Sequence, residues 1–472
     1  MKRIGTILLC MIIITGCSGA VPSYDNVDVT VNGECVLSPV SDCFVEDVYD
    51  KRPSLVQETI ATYTSEDGLC VIEEKEDYYE VTLDYENGSY YDVGKAYGEC
   101  IKITPAYSDY VTGIEEYIYE NIHATFPDVV EDYTPIWERT EEIMGNLPQD
   151  YYDEMNGLAE AICGGITGME RDEQLSYEEM ILGQLVPDVL RCTACFGLSV
   201  WGDKTDTGNR YTARVMEWYV GSTRQIATIH SVVNMKNGEE SYTMIGLLGC
   251  MTGLTIINND GVMLAELDVG SGEPYECYGK RSYTYDLRYC AEKFISADEC
   301  TEYLIAYADA GSYTYNPNVL ITDYNNSYCV ELISDPESGC PVVRDQYTEL
   351  NAGVEWDNPD SLCVVNSYAV NGNEDLLTTN MDNYIRWERM NQWISEVDLV
   401  GLDTMKDLLT RDTLTETEEE CDGDYNNNIV DIYSKILFHI AIFDYETGEI
   451  HVCFAGEENC DKPDFIMVGY FN

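Results

Sequence analysis

At Cys195 the hydrophobic period of this chain changes from that of helices to that of strands, and this break constrains the fold most. Ahead of it, apolar residues recur at helical spacing through Gly88–Ile101, Tyr110–Ile122, Ile136–Met144 and Tyr151–Ile162, with Pro148 and Gly164-Gly165 as breaks. From Cys195 the period is two, and strands are predicted at Cys195–Trp201, Tyr211–Trp218, Ile226–Asn234, Ser241–Leu248, Gly253–Asn258 and Val262–Leu267. Asn237-Gly238 and Asp260-Gly261 supply hairpin turns. Helices are predicted at Tyr283–Phe294, Ala297–Ala308, Met381–Val397 and Leu402–Leu409, and further strands at Val319–Asp323, Tyr328–Ile333, Ile436–Phe443 and Ile450–Phe454. Antiparallel strands interrupted by paired helices predict an α+β layered sandwich.

The first residues read as a processing signal. Lys2 and Arg3 precede an apolar run from Ile7 to Ile14, and Ile14-Thr-Gly-Cys17 is similar to the lipobox of bacterial lipoproteins. That reading makes Cys17 the lipidated first residue of an exported protein held on the outer face of a bacterial membrane; an ordinary secretory signal is the alternative. Residues 18–74 read as an N-terminal extension, 75–194 as a largely helical part, and 195–472 as the main domain. No later apolar run is long enough to span a bilayer.

The formal charge of −61, from 87 acidic and 26 basic residues, excludes nucleic acid as a partner and disfavours polyanionic wall polymers. Of 19 cysteines, setting aside Cys10, Cys17 and Cys195 leaves an even number, which in an exported chain predicts up to eight disulfides of unspecified connectivity. Scarce histidine and the absence of a recurring Cys-x-x-Cys pair argue against a metal centre. The run Cys421-Asp-Gly-Asp-Tyr-Asn-Asn-Asn428 has oxygen ligands at alternate positions, but Tyr433 stands where a calcium loop needs glutamate and Asn427 where it needs glycine. A solvated acidic loop is the expectation there, and no cofactor is expected.

The chemistry-bearing stretch is Cys195-Phe-Gly-Leu-Ser-Val-Trp201, a hairpin through Asp206 to Asn209, then Tyr211-Thr-Ala-Arg214-Val-Met-Glu217-Trp218. With only four histidines, a hydrolase needs another base for its nucleophile. A cysteine freed as a chain terminus carries one, its own α-amine. A cation near the thiol, such as Arg214, favours thiolate. Arg214 and Glu217 lie three apart, so in a flat strand they face opposite sides, and joint service to one site requires the strand to end or bulge there.

This run resembles the cysteine branch of the N-terminal-nucleophile hydrolases, nearest to the acyl-coenzyme A:6-aminopenicillanate acyltransferase-like proteins. Penicillin V acylases, bile salt hydrolases and acid ceramidases are further relatives. The resemblance spans most of 195–472 and extends upstream through Gly88–Glu99 and Leu158-Ala-Glu160. It implies a four-layer αββα sandwich of antiparallel sheets, preceded by helices, and self-cleavage of Ala194-Cys195. It implies Cys195 as nucleophile and Arg214 beside the thiol. Glu217 stands where relatives carry an aspartate that orients the amine. Asn366, in Val364-Val-Asn-Ser367, matches the side chain aimed at the oxyanion. Asp268 falls near the residue whose main-chain N–H completes that hole, and Arg386 matches a late bracing arginine. Trp218 reads as pocket wall. The implied activity is hydrolysis or acyl transfer on small linear N-acyl amides, without a cofactor.

Each residue also has a structural reading. Cys195 could bridge to Cys192 or serve a redox Cys-x-x-C, although that motif opens a helix and here a strand follows. Arg214, Glu217 and Arg386 could be sheet-edge or helix-face charges, and Asn366 a strand cap. A non-catalytic surface lipoprotein that keeps the fold as a binding module is the competing function. A papain-like peptidase is disfavoured, since no histidine lies in a partner motif.

Overall fold

The computed structural model describes residues 54–190, 195–269, 276–373, 377–411, 432–434, 436–456 and 463–471. Three strands come first: β1 (Ala61–Thr64), β2 (Cys70–Glu74) and β3 (Tyr79–Asp84). Helices α1 (Tyr90–Ile103), α2 (Tyr107–Thr125), α3 (Thr134–Met144), α4 (Gln149–Cys163) and α5 (Tyr177–Val189) follow. Then come β4 (Cys195–Val200), β5 (Tyr211–Glu217), β6 (His230–Lys236), β7 (Tyr242–Leu247), β8 (Thr255–Asn258) and β9 (Met263–Leu267). Helices α6 (Tyr283–Lys293) and α7 (Ala297–Asp309) lead to β10 (Asn318–Thr322), β11 (Ser327–Glu331), β12 (Val342–Arg344) and β13 (Ser361–Val364). The described chain ends with α8 (Met381–Glu396), α9 (Leu402–Thr410), β14 (Leu437–Asp444), β15 (Glu449–Phe454) and β16 (Ile466–Tyr470).

The strands form two sheets. The larger runs β1-β2-β3-β6-β7-β8-β9-β10-β11-β12, antiparallel throughout except where β3 joins β6 in parallel. The smaller runs β13-β4-β5-β14-β15-β16, all antiparallel. Ala265, Leu267 and Leu320 from the larger sheet share one apolar cluster with Cys195, Leu362, Val364 and Ala441 from the smaller. The larger sheet packs its other side on the first seven helices, through residues such as Leu264, Ile101, Leu158 and Leu287. The smaller sheet packs Ala213, Val215 and Ile440 against Trp387, Met390 and Leu408 of α8 and α9. Mixed α and β elements with two antiparallel-rich sheets are thus the architecture.

Several elements arise where no helical or strand period was read. Strands β1 and β2 fall within 18–74, read as extension, and β3 falls in the part read as helical, where it alternates buried Tyr79, Val81 and Leu83 with half-buried partners as an inner strand should. Helix α5 opens on a capping box between Ser176 and Glu179, but nearly all its later residues are buried, which erases any one-sided stripe. The expected strand from Ile226 begins only at His230, because 225–228 form a helical turn.

Helices α1 and α4 cross at glycines. A Cβ on Gly157 would run into the Tyr91 carbonyl, and one on Gly94 into that of Glu154. Alanine in a helix gains about 1 kcal/mol over glycine, whereas forcing an atom into packed backbone costs about 3 kcal/mol. Gly157→Ala is therefore expected to destabilise by about 2 kcal/mol net; an unchanged urea midpoint would show that the helices can move apart. Beyond the crossing, buried Arg288 of α6 pairs with Glu154 of α4 and, at 3.1 Å, with Glu292, tying the early helices to the later part.

None of the expected disulfides is formed among the described residues. Cys70, Cys100, Cys163, Cys250, Cys277, Cys290, Cys300, Cys329, Cys340, Cys363 and Cys453 are thiols. Most are fully buried, where cysteine packs as a small apolar residue. Two pairs nevertheless touch: the Cys70 and Cys100 thiols, with Cys100 Sγ 3.5 Å from the Cys70 carbonyl oxygen, and those of Cys290 and Cys300. Cys10, Cys17, Cys35, Cys43, Cys192, Cys421 and Cys460 lie outside the described residues, as do the signal segment, Ala194 and the acidic run 421–428.

Candidate active site

Cys195 opens β4 in the middle of the smaller sheet, paired to Met216 of β5. Its side chain faces the inter-sheet layer and is wholly buried, with Sγ 4.0 Å from the Glu217 carbonyl oxygen. Its main chain is met by other residues. The Cys195 N–H donates to Asn366 Oδ1 at 2.5 Å, and Arg386 Nη1 donates to the Cys195 carbonyl at 3.3 Å.

Three elements supply these partners. Asn366 lies two residues beyond β13, which pairs with β4 and so carries the asparagine back beside the start of that strand. Arg386 projects from the second turn of α8 and donates to Asn366 Oδ1 at 3.1 Å and to Glu217 Oε2 at 2.5 Å. Glu217 ends β5, and its other oxygen accepts from Ser434 Oγ at 2.6 Å. Asn383, one turn before Arg386 on α8, accepts a further guanidinium N–H.

The problem of Arg214 and Glu217 facing opposite ways resolves without bringing both to one face. Glu217 points with Ala213 and Val215 toward α8, where Arg386 waits; Arg214 points into the inter-sheet layer. The site therefore wraps Cys195 from two sides. Glu217, Arg386 and Asn366 gather round its main chain, and Arg214 stands on the side of the thiol. A register shift between Leu437 and His439 of β14, opposite Met216 and Glu217, marks the irregular end of the strand.

Arg214 is fully buried and reaches across to donate to the Glu266 carbonyl oxygen at 2.8 Å, while its Nε and Nη1 meet no protein acceptor. Burial pushes the Cys195 thiol up to about 11; Arg214 opposes that rise, and Glu266 adds to it. Asp268 accepts from Asn366 Nδ2 through its carbonyl oxygen, so the amide N–H expected to face an oxyanion is already engaged. Trp218 is held by Tyr117 of α2 at 3.0 Å and helps line an apolar recess with Tyr110, Ile114, Met180 and Met216. That recess is narrow, with about 30 Å³ of open volume.

Sequence reasoning missed Ser434, Asn383 and Glu266. Asn383 stands one helical turn from Arg386, a spacing that could have flagged it. Glu266 left a weaker sign, an acid inside an otherwise apolar strand. It is fully buried, and neither carboxylate oxygen has a hydrogen-bond partner. Burial, with help from Asp268 and against Arg214, pushes its pKa up to about 8. Asp188, at the end of α5, is raised by burial to about 7 against bonds from Ser282, Thr284 and the Tyr283 N–H.

An acid whose folded pKa exceeds its unfolded value keeps its proton longer when folded. Its contribution is fully present below the unfolded value near 4 and is lost as pH climbs through about 8 for Glu266. Glu266→Gln is expected to resemble wild type in urea at pH 4 and to be the more stable above pH 8, roughly. A difference that does not vary with pH would mean that the carboxyl titrates in the folded protein as it does in the unfolded chain.

No protein-family model matches this chain, and no curated protein matches it. Solved structures with partial similarity include an N-acylethanolamine-hydrolyzing acid amidase (NAAA) ortholog from Caenorhabditis elegans, at 12% identity and a TM-score of 0.36 over 53% of this chain and 92% of that one. Two variants of conjugated bile acid hydrolase from Clostridium perfringens align at 13% and 14% identity with TM-scores of 0.33 and 0.32, over 55% and 58% of this chain and 89% and 97% of theirs. Likeness this slight decides neither family nor activity.

Proposed function

We propose that this chain is an amide hydrolase or acyltransferase of the N-terminal-nucleophile kind, with its helices and paired sheets stacked as αββα layers and the Cys195 thiol as nucleophile. The observation that carries the reading is the connected set around the Cys195 main chain: Asn366 Oδ1 on its nitrogen, Arg386 on its carbonyl, and Glu217 fixing Arg386. A main-chain nitrogen held by a buried side-chain acceptor is poised to become a held amine.

In the first step Cys195 Sγ attacks the Ala194 carbonyl carbon and the peptide C–N bond breaks, leaving a thioester and a free α-amine. Water hydrolyses the thioester, and the upstream fragment then ends in the Ala194 carboxylate. In turnover the amine, with a pKa near 8, accepts the thiol proton, and Sγ attacks the carbonyl carbon of an N-acyl amide. Arg214 opposes the charge on sulfur. Asn366 Nδ2, once turned from the Asp268 carbonyl, donates to the developing oxyanion, a contribution of about 3 kcal/mol. The departing amine takes the proton, and water or a second amine receives the acyl group.

N-terminal sequencing and intact mass of the mature protein test the reading, followed by a screen of N-acyl amino acids. A fragment beginning at Cys195, with turnover of at least one such amide, is expected. The buried thiol favours one competing reading, a binding module that is never cut. An intact chain inert to the whole panel would establish that alternative.

We also propose that the protein is exported and lipidated at Cys17, and that the touching pairs Cys70–Cys100 and Cys290–Cys300 close as disulfides there. Each closure exchanges two thiols with an external disulfide, which leaves as two thiols. Non-reducing peptide maps of exported protein should show both links. Free alkylation of all four cysteines would remove them, and lipid labelling that survives Cys17→Ala would remove the anchor.

A further inference from the structure

Away from Cys195, on the outer strands of the smaller sheet, a cleft of about 630 Å³ opens between α9, β15, β16 and the segment at Ser54. On its wall Ser54 Oγ stands 2.8 Å from His451 Nδ1. The buried Lys406 ammonium donates to the same Oγ at 2.8 Å. With the oxygen's acceptor side so occupied, the hydroxyl proton turns to Nδ1. A neutral imidazole then carries its own proton on Nε2, where Glu449 Oε2 lies 3.1 Å away, off the line of an ideal hydrogen bond.

We propose that Ser54, His451, Glu449 and Lys406 form a second, serine-based acyl-transfer site that takes small carboxylic esters. Hydroxyl and base are hydrogen-bonded, and the Glu449 carboxylate stands beside the other ring nitrogen at 3.1 Å, where a small turn of the ring would complete the series that activates a serine, here with the two ring nitrogens exchanging roles. Lys406 supplies the fixed positive charge that a developing oxyanion requires.

The backbone holds the serine in place. Leu55 N–H donates to the Phe465 carbonyl at 2.9 Å and Met467 N–H to that of Leu55 at 2.7 Å, so the residue after Ser54 is stitched to β16. His451 is buried, its pKa lowered to about 4 by burial and by Lys406, so at neutral pH it is unprotonated and its Nδ1 lone pair faces the Ser54 hydroxyl. The cleft offers Val56, Leu402 and Met467 to an apolar acyl part. Its carboxylates, Asp206, Asp403 and Glu449, select against anions, so the ester is uncharged or cationic.

In the step, Ser54 Oγ bonds to the ester carbonyl carbon as its proton passes to His451 Nδ1. The tetrahedral oxyanion collapses, the C–O bond to the alcohol breaks, and the alcohol leaves with that proton. Water, deprotonated by Nδ1, then attacks acyl-Ser54 and releases the carboxylic acid. No oxidant, metal or cofactor enters.

The test is reaction of the full-length protein with a fluorophosphonate probe, with the adduct located by peptide mass spectrometry. An adduct on Ser54 is expected, absent in Ser54→Ala and formed about a hundredfold more slowly in His451→Gln, the size of a general-base contribution. It should form equally well in Cys195→Ala, which separates this site from the one proposed above. Folded protein with no adduct on Ser54 overturns the proposal, as does a His451→Gln rate equal to wild type. Should His451→Gln fail to fold by circular dichroism, Lys406→Met is expected to slow labelling by a similar factor, and an unchanged rate there overturns it.

Discussion

Cys195→Ala is expected to give one uncut polypeptide whose turnover of N-acyl amides falls by about 10⁴-fold or more, the loss seen when a covalent nucleophile is removed. In the proposed mechanism the barrier arithmetic leaves room for the sulfur. A thiol near 11 facing an amine near 8 makes thiolate formation about three pK units uphill, about 4 kcal/mol. Roughly ten turnovers per second corresponds to a barrier of about 16 kcal/mol, so that cost fits within it. Without the sulfur, water must attack the amide directly. Intact mass reads the first outcome and a substrate panel the second. A chain that is still cut before residue 195, or that still turns over, would place the nucleophile elsewhere.

Arg386→Met is expected to be the most damaging substitution for folding near the site, by about 3–5 kcal/mol in urea denaturation, because it strands a buried carboxylate. Glu217 is almost fully buried, and without the guanidinium it keeps Ser434 as its bonded partner among the contacts described above. The double variant Arg386→Met/Glu217→Gln removes the stranded charge. It should recover most of the stability, since replacing a whole buried pair is often neutral. Cutting and turnover should not recover, because Asn366 and the Cys195 carbonyl have both lost a donor. If the double variant regains activity with stability, the pair serves only the fold.

Much of this arrangement was legible in the residues. The change of period at Cys195, the hairpin into Arg214 and Glu217, and the helices ending in α8 and α9 all follow local patterning. What escaped notice was short, or buried on every side. β13 has four residues, all buried, so it offers no alternation, yet it delivers Asn366 to Cys195. α5 is buried around nearly its whole circumference and shows no stripe. Ser434 and Glu266 meet the site only through long-range pairing, which no window along the chain contains. Cysteine number alone did not foretell pairing, since strands such as β11 and β13 use cysteine as filling.

The parallel join of β3 to β6 bears on what a cut before Cys195 would produce. Strands β1 to β3 and helices α1 to α5 precede the break, while β6 and the rest of their sheet follow it. The two products would share a continuous hydrogen-bonded ladder from Tyr79 to Asp84 and a common apolar interior. Scission would thus liberate a new amino terminus without liberating a propeptide: the severed halves stay clasped as an obligate heterodimer, and parting them amounts to unfolding.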